Sequence, residues 1–143
     1  MPNINPVTGL STDYLNHFTE ALMALEMAAD IPECLDDLKA WEPKTYAEHF
    51  AASPFTNRLA VIDLYRAAPL RRETDRLAGA ILGQLIEART EATGGGDIAA
   101  IGRHATATIR PLIAELAALI NGAAHNPAER LSSQAAIDAM FHG

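Results

Sequence analysis

Few residues in this chain stand at spacings that chemistry requires. His17-Phe18-Thr19-Glu20 puts an imidazole and a carboxylate three residues apart on one helical face. That is the reverse of the Glu-x-x-His pair from which carboxylate-bridged metal bundles are built, and such bundles need the pair twice. With a single copy, the expectation is an exposed polar pair. Cys34 lies in an acidic stretch, which disfavours the thiolate that a nucleophile needs. Gly94-Gly95-Gly96-Asp97 precedes a helix, and free amides at a helix start can hold an anion, but the Asp97 carboxylate would repel one. The sequence has no Walker loop, dinucleotide fingerprint or Gly-x-Ser-x-Gly elbow. His49, His125 and His142 are isolated. No catalytic residue, cofactor or metal site is expected from these patterns.

Two further stretches carry family resemblances. His104, six residues before Arg110-Pro111-Leu112, resembles the phosphoacceptor pattern His-x-x-Arg-x-Pro-Leu that sensor histidine kinases carry on a helical hairpin. The histidine-to-proline interval is seven here where the family has five. Two residues turn a helix by about 200°, so an ordinary polar-face histidine is the expected reading and phosphotransfer the lesser one. The C-terminal peptide Leu131-Ser132-Ser133-Gln134-Ala135-Ala136-Ile137-Asp138-Ala139-Met140-Phe141 resembles the short terminal peptide Leu-Ser-Gln-x-Glu-Ile-Asp-Ala-Leu-Leu of flagellar motor switch proteins. Ser133, Gln134, Ile137, Asp138 and Ala139 match, and Met140 and Phe141 replace the leucines. Ala136 stands where the family has glutamate, an extra serine follows Leu131, and the peptide lies at the opposite terminus. The resemblance implies a helix that binds a response regulator or another motor or chemotaxis component of a bacterium. Ser133, Gln134, Ile137, Asp138, Met140 and Phe141 would be the contact residues. All-α chemotaxis phosphatases also pair a helical hairpin with a regulator-binding tail. Their reaction needs an acid four residues before a glutamine, whereas Gln84 and Gln134 follow Ala80 and Arg130 at that spacing.

The elements that would carry these residues read as helices throughout. Leu70, Leu77, Ile81, Leu82, Leu85 and Ile86 recur at spacings of three, four and seven. So do Ile98, Ile101, Ala105, Ile109, Leu112, Leu116 and Ile120. Each set predicts an apolar stripe on one side of a helix, and the glycines at 94–96 permit a reversal between them. The spacing predicts a long antiparallel hairpin, about 70–93 and 97–121, closed by Asn121-Gly122. Pro111 should bend its second arm at the Ala107 carbonyl. Shorter helices pack on the hairpin. The first starts at Ser11 or Thr12 with Leu15, Phe18, Leu22 and Leu25 inward, and ends at Asp30-Ile31-Pro32. A second spans Glu33 to about Ala40, and a third opens on the capping box Thr45-Tyr46-Ala47-Glu48. Ser53-Pro54 predicts a fourth start, with Phe55, Leu59, Ile62 and Tyr65 as its buried stripe. Residues 1–125 form the bundle and 126–143 a tail with a short amphipathic helix. At about ten residues that helix must dock to be ordered, on its own bundle or on a partner.

Composition agrees with an all-α helical bundle. Alanine occupies 28 of 143 positions, and valine occurs only at Val7 and Val61. The net charge of −7 is concentrated in the first fifty residues, where nine acids face Lys39 and Lys44 alone. That argues against nucleic acid, which needs a basic face. Arg58, Arg66, Arg71, Arg72 and Arg76 cluster and read as a solvated helix face. No apolar run approaches the roughly 18 residues of a membrane span. A lone cysteine and a start without a signal-like segment place the chain in the cytoplasm. The expectation is a non-enzymatic protein–protein interaction or regulatory protein. The alternative is a homodimeric bundle holding a small apolar ligand between helices.

Overall fold

A computed structural model describes residues 4–53 and 57–122. Among them there is no strand beyond an isolated antiparallel bridge between Ile4 and Ser11, and the architecture is an all-α bundle of packed helices. The C-terminal peptide, with Ser133, Gln134, Ile137, Asp138, Met140 and Phe141, lies outside the described residues.

The entry loop is tied down at both ends. Asn5 Oδ1 accepts from the amides of Val7 (2.8 Å) and Thr8 (3.1 Å), and Gly9 takes a φ of +71° to complete the turn. Thr8 Oγ1 donates to the carbonyl of Ile120 (2.6 Å), so one orphan carbonyl at the end of the last described helix is satisfied by the entry loop. Ser11 Oγ then caps a short 3-10 turn, Thr12–Tyr14, and α1 follows directly (Leu15–Met27). α1 is the central helix: Phe18, Ala21, Leu22 and Leu25 are buried against α5 (Arg71–Thr93) and α6 (Ile98–Ile120). These last two pack along each other through Leu77, Ile81, Leu85, Ala105, Ile109 and Leu116. Asp97 Oδ1 caps α6 on the Ala100 amide (3.2 Å), and Gly122 ends it at a φ of +85°. α6 meets α1 almost backbone to backbone. A Cβ at Gly102 would lie 2.7 Å from the Leu25 carbonyl oxygen, so only glycine fits the crossing. Glu26 accepts from Arg110 Nη2 and Thr106 Oγ1, both at 2.6 Å, beside it.

The smaller helices are α2 (Cys34–Ala40), α3 (Tyr46–Ala51) and α4 (Arg58–Ala67). The capping box of α3 forms in full: Thr45 Oγ1 accepts from the Glu48 amide, and Glu48 Oε1 from the Thr45 amide. Three expectations need correction. Ser53 Oγ donates to the His49 carbonyl and so closes α3, while α4 begins only at Arg58 without a side-chain cap. The buried stripe of α4 is Val61, Ile62 and Tyr65. Leu59 lies in the first turn at the stripe's edge, where no element among the described residues covers it, and is 70% exposed. Ile86 is likewise on the open side of α5. Outside these corrections, α6 runs through Pro111 as the single arm the sequence predicts, with both Pro111 and Ala107 exposed.

Candidate functional site

The polar residues converge where the segment after α2 crosses α1. Trp41-Glu42-Pro43-Lys44 runs extended because Pro43 cannot join a helix, and it lies over His17. Trp41 Nε1 donates to the His17 carbonyl (2.9 Å), the Lys44 amide donates to His17 Nε2 (2.9 Å), and Tyr14 Oη donates to the Lys44 carbonyl (2.7 Å). From α5, Arg89 donates to the Trp41 carbonyl and holds its guanidinium 5.6 Å from the indole centroid, a cation–π contact. His17 stacks on Trp41 at 4.8 Å, and His49 follows 5.9 Å beyond.

His17 is therefore no exposed polar pair with Glu20, as its spacing predicts, but a buried side chain, 6% exposed. Burial, with His49 and Lys44 adding to it, pulls its pKa down to about 4. The ring is neutral at pH 7, and Nε2, as the acceptor, leaves the proton on Nδ1. Burial, then Lys44, lowers His49 too. Nearby tyrosines are pushed the other way: burial raises Tyr46 to about 12 and lifts Tyr14 and Tyr65 further, the Tyr65 hydroxyl donating to the Asp75 carboxylate. A histidine whose acceptor nitrogen is spent on the backbone, among phenols held protonated, fastens a strap rather than moving protons.

What the strap builds is a groove. α2 and Trp41 stand off from the outer side of α1 and leave a cavity of about 580 Å³, floored by Ala24 and Trp41 and walled by Met23, Met27 and Cys34. Met23 is 48% exposed, Met27 40% and the neighbouring Ile31 42%. Past Trp41 the groove meets a smaller recess of about 230 Å³ that contains Glu20, Glu42 and Lys44. Glu20 and Asp37 bring carboxylates to the lining of the apolar part itself. Methionine suits such a surface because its thioether is polarisable and its three rotatable bonds adapt to what lands on it.

The other sequence-predicted positions are not brought together. His104 is exposed on α6, across a crevice of about 130 Å³ from Gln84, Glu87 and Glu91. No group of three or more His, Cys, Asp or Glu among the described residues could hold a metal ion. Asp97 occupies the amide that an anion at the glycine turn would need. Arg66, Arg72 and Arg76 are exposed, and Arg76 pairs with Glu73 at 3.0 Å. No helix among the described residues is long and apolar enough to cross a membrane. Sequence reasoning missed the groove although a signal was present. Met23 and Met27 follow at four-residue spacing on the side of α1 away from Leu22 and Leu25, a second stripe that no helix among the described residues covers. The His17–Trp41–His49 cluster had no local signal, since it joins residues 24 and 32 positions apart.

Comparison of the chain with models of protein families, with curated proteins and with solved structures returns no match.

Proposed function

We propose that this protein is a non-enzymatic interaction module, and that the groove between α1 and α2 receives a helix of a protein partner. The observation that carries this reading is the pairing of two large exposed apolar side chains, Met23 and Met27, with a floor already organised by the Trp41 strap. A preformed groove lined by methionine suits helix-in-groove recognition. The test is a displayed library of helical peptides, selected against the intact chain and counter-screened on Met23→Glu/Met27→Glu. Both methionines are partly exposed, so circular dichroism should show an unchanged fold. Enrichment of helical sequences that the double variant fails to bind supports the reading. A library that yields no sequence able to distinguish the two proteins refutes it.

A volume of about 580 Å³ also lies within the range of small-molecule pockets, which favours a second reading, a small apolar ligand in the same groove. An apolar fluorophore that binds but is not displaced by any selected peptide would support it. The resemblance of Ser133–Phe141 to a regulator-binding peptide supports a second contact through the tail, with Ile137, Met140 and Phe141 as anchors and Asp138 setting register. Truncation at Asn126 that leaves every partner bound would remove the tail from the account.

A further inference from the structure

The groove is graded along its length, and the grading specifies what fits. At one end Met23 and Met27 present apolar surface. Two helical turns back along α1, about 10 Å for the seven residues from Met27 to Glu20, Glu20 stands where the groove meets the recess that holds Glu42. Trp41 borders both parts, so one ligand lying along α1 would touch both. Glu20 and Asp37 line the groove and Glu42 lines the recess, while Glu26 is committed to Arg110 and Thr106. Two cations stand against these three carboxylates, Lys44 on the recess wall and the Arg89 guanidinium at Trp41, and His17 is neutral at pH 7. The potential over the groove is therefore negative, and it repels an acidic occupant. This disfavours the chain's own tail, because residues 123–143 carry Glu129 and Asp138 against Arg130 alone.

We propose that the occupant is a basic amphipathic helix of a partner protein. An apolar residue seats on Met23 and Met27, and a lysine or arginine about seven positions away enters the recess between Glu20 and Glu42. This rests on the groove being the partner site, and it adds the chemistry of the partner. Hydrophobic contact sets most of the affinity, while the acidic field speeds encounter and selects against acidic helices.

The experiment titrates the full chain calorimetrically with four synthetic peptides. The first is an 18-residue helix with leucine on one face and lysine on the other. The second is the same helix with glutamate for lysine, the third a lysine–serine peptide without an apolar face, and the fourth residues 126–143 of this chain. The leucine–lysine helix should bind and the other three should not. Glu20→Gln/Glu42→Gln should weaken it about tenfold and flatten its salt dependence. Met23→Glu discriminates best, because it adds negative charge to the groove while removing apolar surface. Docking in the groove predicts lost binding, and mere attraction of a basic peptide to an acidic protein predicts tighter binding. Equal binding of the glutamate helix or of the tail peptide, or an unchanged affinity for the Glu20→Gln/Glu42→Gln protein, overturns the basic-helix inference and leaves the groove standing. Failure of every peptide, together with tighter lysine–serine binding to Met23→Glu, overturns both.

Discussion

Replacing each of three helical glycines by alanine should move stability in opposite directions, and the structure says which way. Gly79 and Gly83 lie in the interior of α5, and a Cβ built on either meets nothing within 4 Å. Alanine there gains helix propensity and restricts the unfolded chain, about 0.5–1 kcal/mol at each site. Gly102→Ala earns the same local gain, but its Cβ would sit 2.7 Å from Leu25 O, 3.5 Å from Leu25 C and 3.6 Å from Glu26 Cα. These are backbone atoms of α1, so no rotamer change can clear them. α1 and α6 would have to part by roughly 0.7 Å to restore ordinary contact, and forcing extra volume into a packed interface costs about 1–3 kcal/mol. The propensity term is common to all three variants and cancels in the comparison. Gly102→Ala should therefore be about 1–3 kcal/mol less stable than Gly79→Ala or Gly83→Ala. Urea unfolding followed by circular dichroism reads this as a lower midpoint at constant slope. If Gly102→Ala unfolds within about 0.5 kcal/mol of Gly79→Ala, the close crossing of α1 and α6 is not what holds glycine at position 102.

Acid should loosen the strap. The folded pKa of His17, about 4, lies below its ordinary 6.5, so the unfolded chain takes up the proton first. Stability is whole above about pH 6.5 and is lost as the pH falls toward 4, with His49 acting in the same sense. The loss is on the order of 2 kcal/mol after discounting for solvent at the recess. His17→Gln, which keeps an acceptor for the Lys44 amide, should flatten that limb of a urea–pH series, and parallel curves for the two proteins would refute the assignment. Thr74 Oγ1 is buried in α5 with no hydrogen-bond partner among the described residues, so Thr74→Val should leave stability unchanged or raise it by about 1 kcal/mol. A drop in melting temperature for that variant would mean the hydroxyl has a partner.

The strap also explains why a chain with five histidines and three tyrosines offers so little accessible acid–base chemistry in this region. Tyr14, His17, Trp41 and Tyr46 give their polar atoms to backbone groups: Lys44 N and O, His17 O, and Ser11 N. The three bonds to Trp41 and Lys44 fix where the segment 41–45 lies, beside α1 and directly after α2. The groove is in this sense a product of buried polar chemistry, although its own lining is mostly apolar. Glu26 plays the matching part on the other side of α1. Against the cost of partial burial, hydrogen bonds from Arg110 and Thr106 hold its carboxyl below the usual range, and it ties α1 to α6.

Helix starts and stops were written locally, and they are where sequence and structure agree most closely. The Ser11 hydroxyl, the Thr45–Glu48 box, the Asp97 carboxylate and the Gly122 turn each satisfy backbone groups within four residues of themselves. The spacing of Leu77, Ile81 and Leu85 needed only the period of a helix to mark the buried side. Exposure obeys a different rule. A stripe of apolar residues states that something should cover it, and says nothing about what does. α1 carries two such stripes, Phe18–Leu22–Leu25 and Met23–Met27. Packing by α5 and α6 covered the first, while α2 packs on α1 and leaves the second exposed along the groove. Leu59 was left bare for the same reason, and His17 was buried because a strand of chain 24 residues away happened to cross it. Local hydrogen bonds and periodicity reach a few residues along the chain. Coverage depends on which distant surfaces meet, and that is a property of the assembled bundle.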